Sequence, residues 1–293
     1  MKSKADNLRT LLAGPDILVA PACYDALSAR LIERAGFDLS FMSGFAVSAA
    51  RLGLPDTGLI SYGEMLEQGR NICNAVSFPV IGDGDTGYGN ALNVKRTVSG
   101  YAQAGFGCIM IEDQVAPKRC GHTRGKQVVD REEAVGRIRA AVDAREEGAD
   151  ILIMARTDAR ATNGFDEAMW RIKAFAELGA DILFLEAPES EDEMREFCEG
   201  SSGHKMANLV EQGDTPLLPP ETLQEMGFKI VLYPLTMIKA AITAMETALQ
   251  TLKQGQTPEQ LAEFSHLREV VGFEDYYEAE KKYAAGKQRA ADL

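Results

Sequence analysis

The chain has 293 residues and a formal net charge of -13, so it is long enough to bury a full core in one large domain. The acidic balance excludes a general nucleic-acid or anionic-membrane surface, but one arginine and a metal ion can still dominate a pocket for an anion. Five cysteines without framework spacing predict reduced thiols, and no apolar run approaches the length of a membrane span. We expect a soluble, cytoplasmic protein with a small-molecule substrate and no nucleic-acid or membrane partner.

Eight short apolar runs recur along the chain, and segments with helical periodicity separate nearly all of them. The runs are continuous rather than alternating, which is typical of parallel strands covered on both faces. They span residues 17–22, 39–44, 78–82, 108–112, 151–155, 182–186, 205–209 and 230–234. This α/β pattern predicts a (β/α)8 TIM barrel. The alternative is an open doubly wound sheet, but no glycine fingerprint of a dinucleotide site follows any run.

The tail after Gly255 has helical stretches, 258–271 and 273–285, but no further strand. We therefore predict one barrel domain over residues 1–293, with 255–293 as a C-terminal helical arm. Two roles for the arm stay open, namely a contact with another subunit and a lid on its own barrel.

The predicted strands end in polar residues. In a barrel these ends converge on one rim, and that rim holds the chemistry. The agreement between so many strand ends predicts a functional rim. Its members are Ser43-Gly44, Asp83 to Asp85, Glu112-Asp113, Arg156-Thr157-Asp158, Glu186 and Asn208.

Three of the rim carboxylates predict a metal site. Asp83 and Asp85 lie two residues apart, so they point the same way on an extended segment, and Glu112 follows the adjacent strand. Oxygen-only ligands suit Mg²⁺, with Mn²⁺ as a substitute. Without a cation, the three carboxylates would raise one another's pKa. The alternative is a pair of aspartates that stabilises the glycine-rich loop.

Arg156 follows the strand next to these carboxylates and can bind a substrate carboxylate through two parallel hydrogen bonds. The alternative is an ion pair with Asp158 or Glu186. Other rim groups that could contact the substrate are the Ser43 hydroxyl, the N–H groups of Gly44 and Phe45, and the side chains of Glu186 and Asn208.

A thiol lies in the loop after the fourth predicted strand. Cys120 is next to Arg119 and two residues from His122, so we expect its pKa to be lowered and the thiol to transfer a proton. The alternative is an incidental cysteine on a surface loop.

Together these residues resemble the isocitrate lyase and phosphoenolpyruvate mutase superfamily over about residues 7–250. The matching segments are Ser43-Gly44, Leu54-Pro55-Asp56, 83–89, 111–114, 118–122, 156–158, 186–187 and Asn208. The loop at 118–122 is typical of the carbon–carbon lyase branch, and the phosphonate mutase and hydrolase branches lack it. The segments 122–126 and 206–208 look most like the 2,3-dimethylmalate lyases and their petal-death-protein relatives, then the methylisocitrate lyases.

The resemblance implies a barrel whose last helix is swapped with a neighbour, in a homotetramer built as a dimer of dimers. It implies that Mg²⁺ binds Asp85 directly and Asp83 and Glu112 largely through water. Cys120 would be the catalytic acid/base. The implied catalytic set continues with Lys118, His122, Arg156 and Glu186, and the implied substrate-binding set is Ser43, Gly44, Phe45, Asp56, Gly121, Asn208, Pro234 and Leu235.

The implied reaction is a retro-Claisen cleavage of a 2-substituted malate, such as 2,3-dimethylmalate, to a 2-oxo acid and a carboxylic acid. Phe41 occupies a position where methylisocitrate lyases have a tyrosine, and Phe45 also lacks a hydroxyl. This departure weakens the methylisocitrate assignment and removes a candidate base. Open alternatives are 2-methylisocitrate lyase, an oxaloacetate hydrolase or decarboxylase, and a barrel retained as a binding module.

Overall fold

The computed structural model describes residues 2–120 and 125–291. Eight parallel strands form a closed barrel in which neighbours in sequence pair and the last strand pairs with the first. This confirms the predicted (β/α)8 architecture. The strands are β1 Leu18–Cys23, β2 Ser40–Met42, β3 Val80–Asp83, β4 Cys108–Glu112, β5 Leu152–Thr157, β6 Ile182–Leu185, β7 His204–Asn208 and β8 Ile230–Tyr233.

Helices connect the strands and form the outer layer. They are α1 Lys4–Ala13, α2 Ala26–Arg34, α3 Gly44–Val47, α4 Tyr62–Ala75, α5 Ala91–Ala104, α6 Arg131–Glu146, α7 Ala159–Asn163, α8 Phe165–Glu177, α9 Glu191–Glu199, α10 Pro220–Met226, α11 Thr236–Lys253, α12 Phe264–Val270 and α13 Phe273–Ala291. A π-helical turn, Ser48–Leu52, follows α3. None of the helices in the described residues combines the length and the apolar character needed to cross a membrane.

The strands are apolar on both faces because each face packs against a different core. Inside the barrel, Met110, Met154 and Phe184 belong to one buried cluster, which Leu8 and Leu12 of α1 join. The outward side chains of the same strands belong to the second cluster, shared with the helices, for example Ile109, Ile153 and Leu183. These two cores explain why the sequence shows continuous rather than alternating apolar runs.

The chain forms two compact units, Met1–Lys239 and Ala240–Leu293. The first contains the barrel and the helices α1 to α10. The second contains most of α11, with α12 and α13, and many of its large apolar side chains are exposed, among them Met245, Leu249 and Phe264. The single domain with a 255–293 arm, the swapped helix and the tetramer remain predictions.

Two helix glycines give a prediction for stability. A Cβ at Gly69 of α4 would lie 2.3 Å from Cζ of Phe106, whose ring is buried and stacked on Tyr101 with centroids 4.7 Å apart. A Cβ at Gly136 of α6 would meet nothing within 4 Å. We expect Gly69→Ala to lower the free energy of unfolding by about 1–3 kcal/mol through overpacking. Gly136→Ala should raise it by about 0.5–1 kcal/mol, because alanine loses less backbone entropy.

Urea unfolding of both variants at one protein concentration tests this pair. The same sign of change at both positions would contradict the packing argument.

Candidate active site

A small cavity lies at the carboxyl ends of the strands, with a volume of about 70 Å³, which is room for several water molecules. Most of the predicted site residues line it. They are Ser43, Phe45, Asp56, Asp83, Lys118, Cys120, Arg156, Glu186, Asn208, Pro234 and Leu235. Three further predicted residues, Gly44, Asp85 and Glu112, are buried and contact these lining residues. Gly121 and His122 lie outside the described residues, so the roles assigned to them stay predictions.

The end of β2 brings a glycine against an aspartate. Ser43 begins α3, and its Oγ accepts a hydrogen bond from the Ala46 N–H at 3.3 Å. The next N–H, of Gly44, donates to Oδ2 of Asp83 at 3.1 Å. A Cβ on residue 44 would lie 2.5 Å from that oxygen, so only glycine allows this approach. In the structure, the Gly44 N–H therefore holds Asp83, and its contact with a substrate stays a prediction.

The ends of β3 and β4 bring the three predicted metal-binding carboxylates together. The Glu112 N–H donates to the Asp85 carbonyl at 2.9 Å, and the Gly84 N–H donates to the Met110 carbonyl at 2.9 Å. Oδ1 of Asp83 accepts the Asp85 N–H at 3.0 Å. Asp85 has a φ of 46°, a left-handed conformation in which aspartate is better tolerated than most residues.

Burial changes the titration of two of these carboxyl groups. The pKa of Asp83 is raised first by its burial and then by the charge of Asp85. The pKa of Glu112 is raised well above its usual value by burial, even though the charges of Arg156 and Lys118 oppose the shift. Both shifts disfavour the negative form, which a bound cation would restore.

Lys118 places an ammonium group among the same carboxylates. Its Nζ donates to Oδ2 of Asp56 at 2.7 Å and lies 2.6 Å from the other Asp56 oxygen and 2.9 Å from Oδ1 of Asp85. Burial alone would lower the pKa of Lys118, but the surrounding carboxylates outweigh it and the pKa lies well above its usual value. The positive form of the buried Lys118 is therefore stabilised by the carboxylates beside the predicted metal site.

Asp83, Asp85 and Glu112 form an acidic group whose oxygen atoms suit a hard cation. Within residues 2–120 and 125–291, no three His, Cys, Asp or Glu side chains are arranged to bind a metal ion directly. Lys118 lies against Asp85, and backbone N–H groups occupy Asp83. Oε1 of Glu112 is buried, however, and has no hydrogen-bond partner among the described residues. All-oxygen ligands with few direct contacts suit Mg²⁺, which keeps several water molecules.

Arg156 lies on β5 directly opposite Glu112 in the strand register, as predicted. Its Nε and Nη2 donate to the two oxygens of Asp158 at 2.8 and 3.0 Å, and Nε lies 3.4 Å from Glu112. Nη2 is 3.9 Å from Glu186. The predicted alternative, an ion pair, is therefore present. An arginine has five N–H donors, so these two hydrogen bonds leave donors for a substrate carboxylate.

A buried network fixes Asp158 and the end of β5. Oδ2 of Asp113 accepts from the Thr157 hydroxyl at 2.6 Å and from Arg171 at 3.0 Å, and Oδ1 accepts the Asp158 N–H at 2.9 Å. Lys126 belongs to the returning arm of the loop that carries Cys120, and its Nζ lies 3.4 Å from Oδ1 of Asp158. Arg156 is thus oriented by a carboxylate whose own backbone is held in place.

Apolar side chains form the remaining wall of the cavity. Phe41 and Phe45, the two positions without a hydroxyl, both line it. Phe184 also lines the cavity, with the Arg156 guanidinium 5.1 Å from its ring centroid. This wall suits an alkyl group better than a further carboxylate.

The Cys120 loop leaves the barrel from a fixed base. The Val115 N–H donates to the Gln127 carbonyl at 2.8 Å, and the Val129 N–H donates to the Asp113 carbonyl at 2.9 Å, so the two arms form a short antiparallel bridge. Cys120 is half-buried and lines the cavity. The structure therefore brings the thiol into the same cavity as Arg156.

Sequence reasoning missed two buried arginines that support the rim. Arg137 of α6 donates to the Glu112 and Gln114 carbonyls at 3.2 and 2.7 Å, and Arg171 of α8 binds Asp113. The signal was present, because each arginine lies on the apolar face of its helix, next to Ile138 and to Ile172. A charge at a core position of a helix predicts a buried partner.

Comparison with known proteins identifies the family of the chain. The sequence matches the Phosphoenolpyruvate phosphomutase family over residues 8–253. It is 45% identical to 2,3-dimethylmalate lyase of Eubacterium barkeri over 97% of this chain and 99% of that protein. It is 41% identical to 2-methylisocitrate lyase of Aeropyrum pernix over 98% of this chain and 92% of that protein.

Solved structures give the same result. A crystal structure of 2,3-dimethylmalate lyase superposes with a TM-score of 0.92 and 38% identity, covering 97% of this chain and 96% of that one. The structure of oxaloacetate acetylhydrolase with 3,3-difluorooxalacetate superposes with a TM-score of 0.91 and 35% identity, covering 96% of this chain and 97% of that one. The structure of phosphonopyruvate hydrolase with oxalate and Mg²⁺ superposes with a TM-score of 0.85 and 31% identity, covering 97% of this chain and 100% of that one. The chain therefore belongs to the phosphoenolpyruvate mutase and isocitrate lyase superfamily.

Proposed function

We propose that the protein is a Mg²⁺-dependent carbon–carbon lyase that cleaves 2,3-dimethylmalate or a related 2-alkylmalate. The products would be a 2-oxo acid such as pyruvate and a carboxylic acid. One observation carries the proposal: a thiol, a buried arginine and an acidic group with an unpartnered oxygen meet at one small cavity. Relatives that are named lyases support it.

Some residues of the cavity would bind the substrate, and others would transfer protons. Arg156 would bind the carboxylate next to C2, because it lines the cavity and Asp158 takes only two of its five N–H donors. The Ser43 hydroxyl and the Asn208 amide would orient the same half of the substrate. The proton of the C2 hydroxyl would pass to a cavity carboxylate such as that of Glu186. The oxygen would form a C2=O double bond, the C2–C3 bond would break, and its electron pair would pass to C3.

Cys120 would deliver a proton to C3, which turns the departing fragment into a carboxylic acid. A thiol is suited to this step because the ordinary pKa of a cysteine, about 8.5, leaves a proton that is held at neutral pH and still readily given up. Lys118 would keep charge balance beside Asp56 and Asp85 during the reaction.

Asp85, Asp83 and Glu112 would hold Mg²⁺. When bound, this ion would stabilise the negative charge that develops on the C2 oxygen. The buried Oε1 of Glu112, which has no hydrogen-bond partner among the described residues, supports this assignment.

The apolar wall favours an alkylmalate over the alternatives. A 2-methylisocitrate substrate carries a third carboxylate, for which the phenyl side chains of Phe41 and Phe45 offer no hydrogen-bond donor. An oxaloacetate hydrolase or decarboxylase remains the second candidate, because the similarity to oxaloacetate acetylhydrolase covers 96% of the chain. Oxaloacetate could use the same arginine and the same cation.

A substrate panel with product identification tests the proposal. With Mg²⁺, we expect 2,3-dimethylmalate to give pyruvate and propionate with a kcat/KM at least about tenfold above those of 2-methylisocitrate and oxaloacetate. Chelation by EDTA should abolish turnover, and Mg²⁺ should raise the Tm of the EDTA-treated protein. Oxaloacetate as the best substrate, with oxalate and acetate as products, would establish the second candidate instead. A Tm unaffected by Mg²⁺ would contradict the metal site.

A further inference from the structure

Gln114 is a buried amide that links the end of β4 to the residue before Cys120. Only 1% of its surface is exposed. Its Oε1 accepts the Arg119 N–H at 2.9 Å, and its Nε2 donates to the Arg119 carbonyl at 2.9 Å. One side chain thus makes hydrogen bonds to both backbone groups of Arg119.

Gln114 is itself held by its surroundings. Its carbonyl accepts from Nη1 of Arg137 at 2.7 Å, and Gln114 pairs with Val128 in the antiparallel bridge at the base of the loop. Arg137 is buried and also bound to Glu133. The amide therefore connects Arg119 to helix α6 and to the barrel.

We propose that Gln114 is a positioning residue for the reaction proposed above, and that its amide sets where the Cys120 thiol stands in the cavity. Consecutive Cα atoms are about 3.8 Å apart, so a fixed Arg119 backbone limits the volume in which the Cys120 sulfur can move. Misplacing a reacting group by about 1 Å can cost about a hundredfold in rate. The proposed carboxylate ligand, Arg156, lies on β5, outside this loop, and is held by Asp158. The inference rests on the proposed function.

A pair of matched variants tests it. Gln114→Met keeps the length of the side chain and removes both hydrogen bonds. Gln127→Met makes the same change on the opposite arm of the loop, where the side chain is exposed and the contact with Val115 is made by the backbone carbonyl. We expect Gln114→Met to lower kcat on 2,3-dimethylmalate by about 10- to 100-fold with KM changed less than about threefold. Gln127→Met should stay within about twofold of the wild type in both constants.

A double-mutant cycle separates positioning of the thiol from general damage to the fold. If Gln114 acts through Cys120, Gln114→Met should cost less than about twofold when Cys120→Ser is already present. An equal loss in both backgrounds, or an unchanged kcat in the wild-type background, would overturn the inference. If Gln114→Met does not fold, Gln114→Asn, whose amide is one methylene shorter, takes its place with the same expected result.

The cycle also distinguishes this inference from the proposed function. Cys120→Ser with wild-type cleavage would show that the thiol is not the acid, and the proposed mechanism would fall. Impaired Cys120→Ser together with a fully active Gln114→Met would overturn only the role of Gln114.

Discussion

Cys120→Ser should lower the kcat for cleavage of 2,3-dimethylmalate by about 10²- to 10⁴-fold, which is the usual contribution of a positioned general acid. A serine hydroxyl has nearly the same shape, but it is a far weaker acid than a thiol at neutral pH. Binding should survive, because Arg156, Asp83 and Glu112 lie on strands and Asp85 closely follows β3, all outside the loop that carries Cys120. The inhibition constant of pyruvate should therefore change little. Initial rates and product inhibition measure both effects.

Cys198→Ala is the control for this substitution. Cys198 is buried at the end of α9, away from the cavity-lining residues, so its loss should leave kcat and KM unchanged. Near wild-type turnover by Cys120→Ser would refute the assignment of the acid. A large rise in the pyruvate inhibition constant would instead show that Cys120 serves binding.

Arg156→Met should lose both substrate binding and stability. The guanidinium compensates the buried charges of Asp158 and Glu112, and removal of one partner of a buried ion pair costs about 3–5 kcal/mol. The same change removes the proposed carboxylate ligand, so kcat/KM should fall by at least about a hundredfold. Arg156→Lys should keep more of the stability than of the activity, because lysine retains the charge but not the paired donors.

Arg131→Met provides the matched control. Arg131 also makes paired hydrogen bonds to a carboxylate, that of Glu167, but it is 51% exposed, so its loss should cost less than about 1 kcal/mol and leave kinetics unchanged. Chemical unfolding and steady-state kinetics report both effects. An Arg156→Met variant with an unchanged KM would contradict the substrate contact, and one with unchanged stability would contradict the buried network.

Strand periodicity was enough to predict the barrel and the rim. The boundaries of β4 agree with the predicted run 108–112, whereas β2 ends at Met42, two residues before the end of the predicted run 39–44. The difference has a local cause, because the Ser43 side chain caps α3 and so ends the strand. The meeting of Asp85, Glu112 and Arg156 followed from the rule that parallel strand ends converge, since this rule does not depend on loop conformation.

Contacts between loop residues could not be predicted from the pattern of the strands. The ion pairs of Lys118 with Asp56 and Asp85 join residues that are 62 and 33 positions apart in the sequence, and no periodicity encodes them. The resemblance to the superfamily suggested Asp56 and Lys118 as site residues, but their pairing emerged only from the structure. The supporting arginines could have been found, since Arg137 and Arg171 interrupt the apolar faces of their helices.

The short bridge between Gln114 and Val128 has a consequence for how new chemistry could arise on this scaffold. Because the two arms are already joined at their base, residues 115–127 form an insert whose ends nearly touch. Such a segment can be exchanged for one of another length and composition without altering the barrel strands. A transplanted insert with a different reactive group would face the same substrate carboxylate on Arg156. Replacement of this one segment would then redirect the enzyme to another reaction.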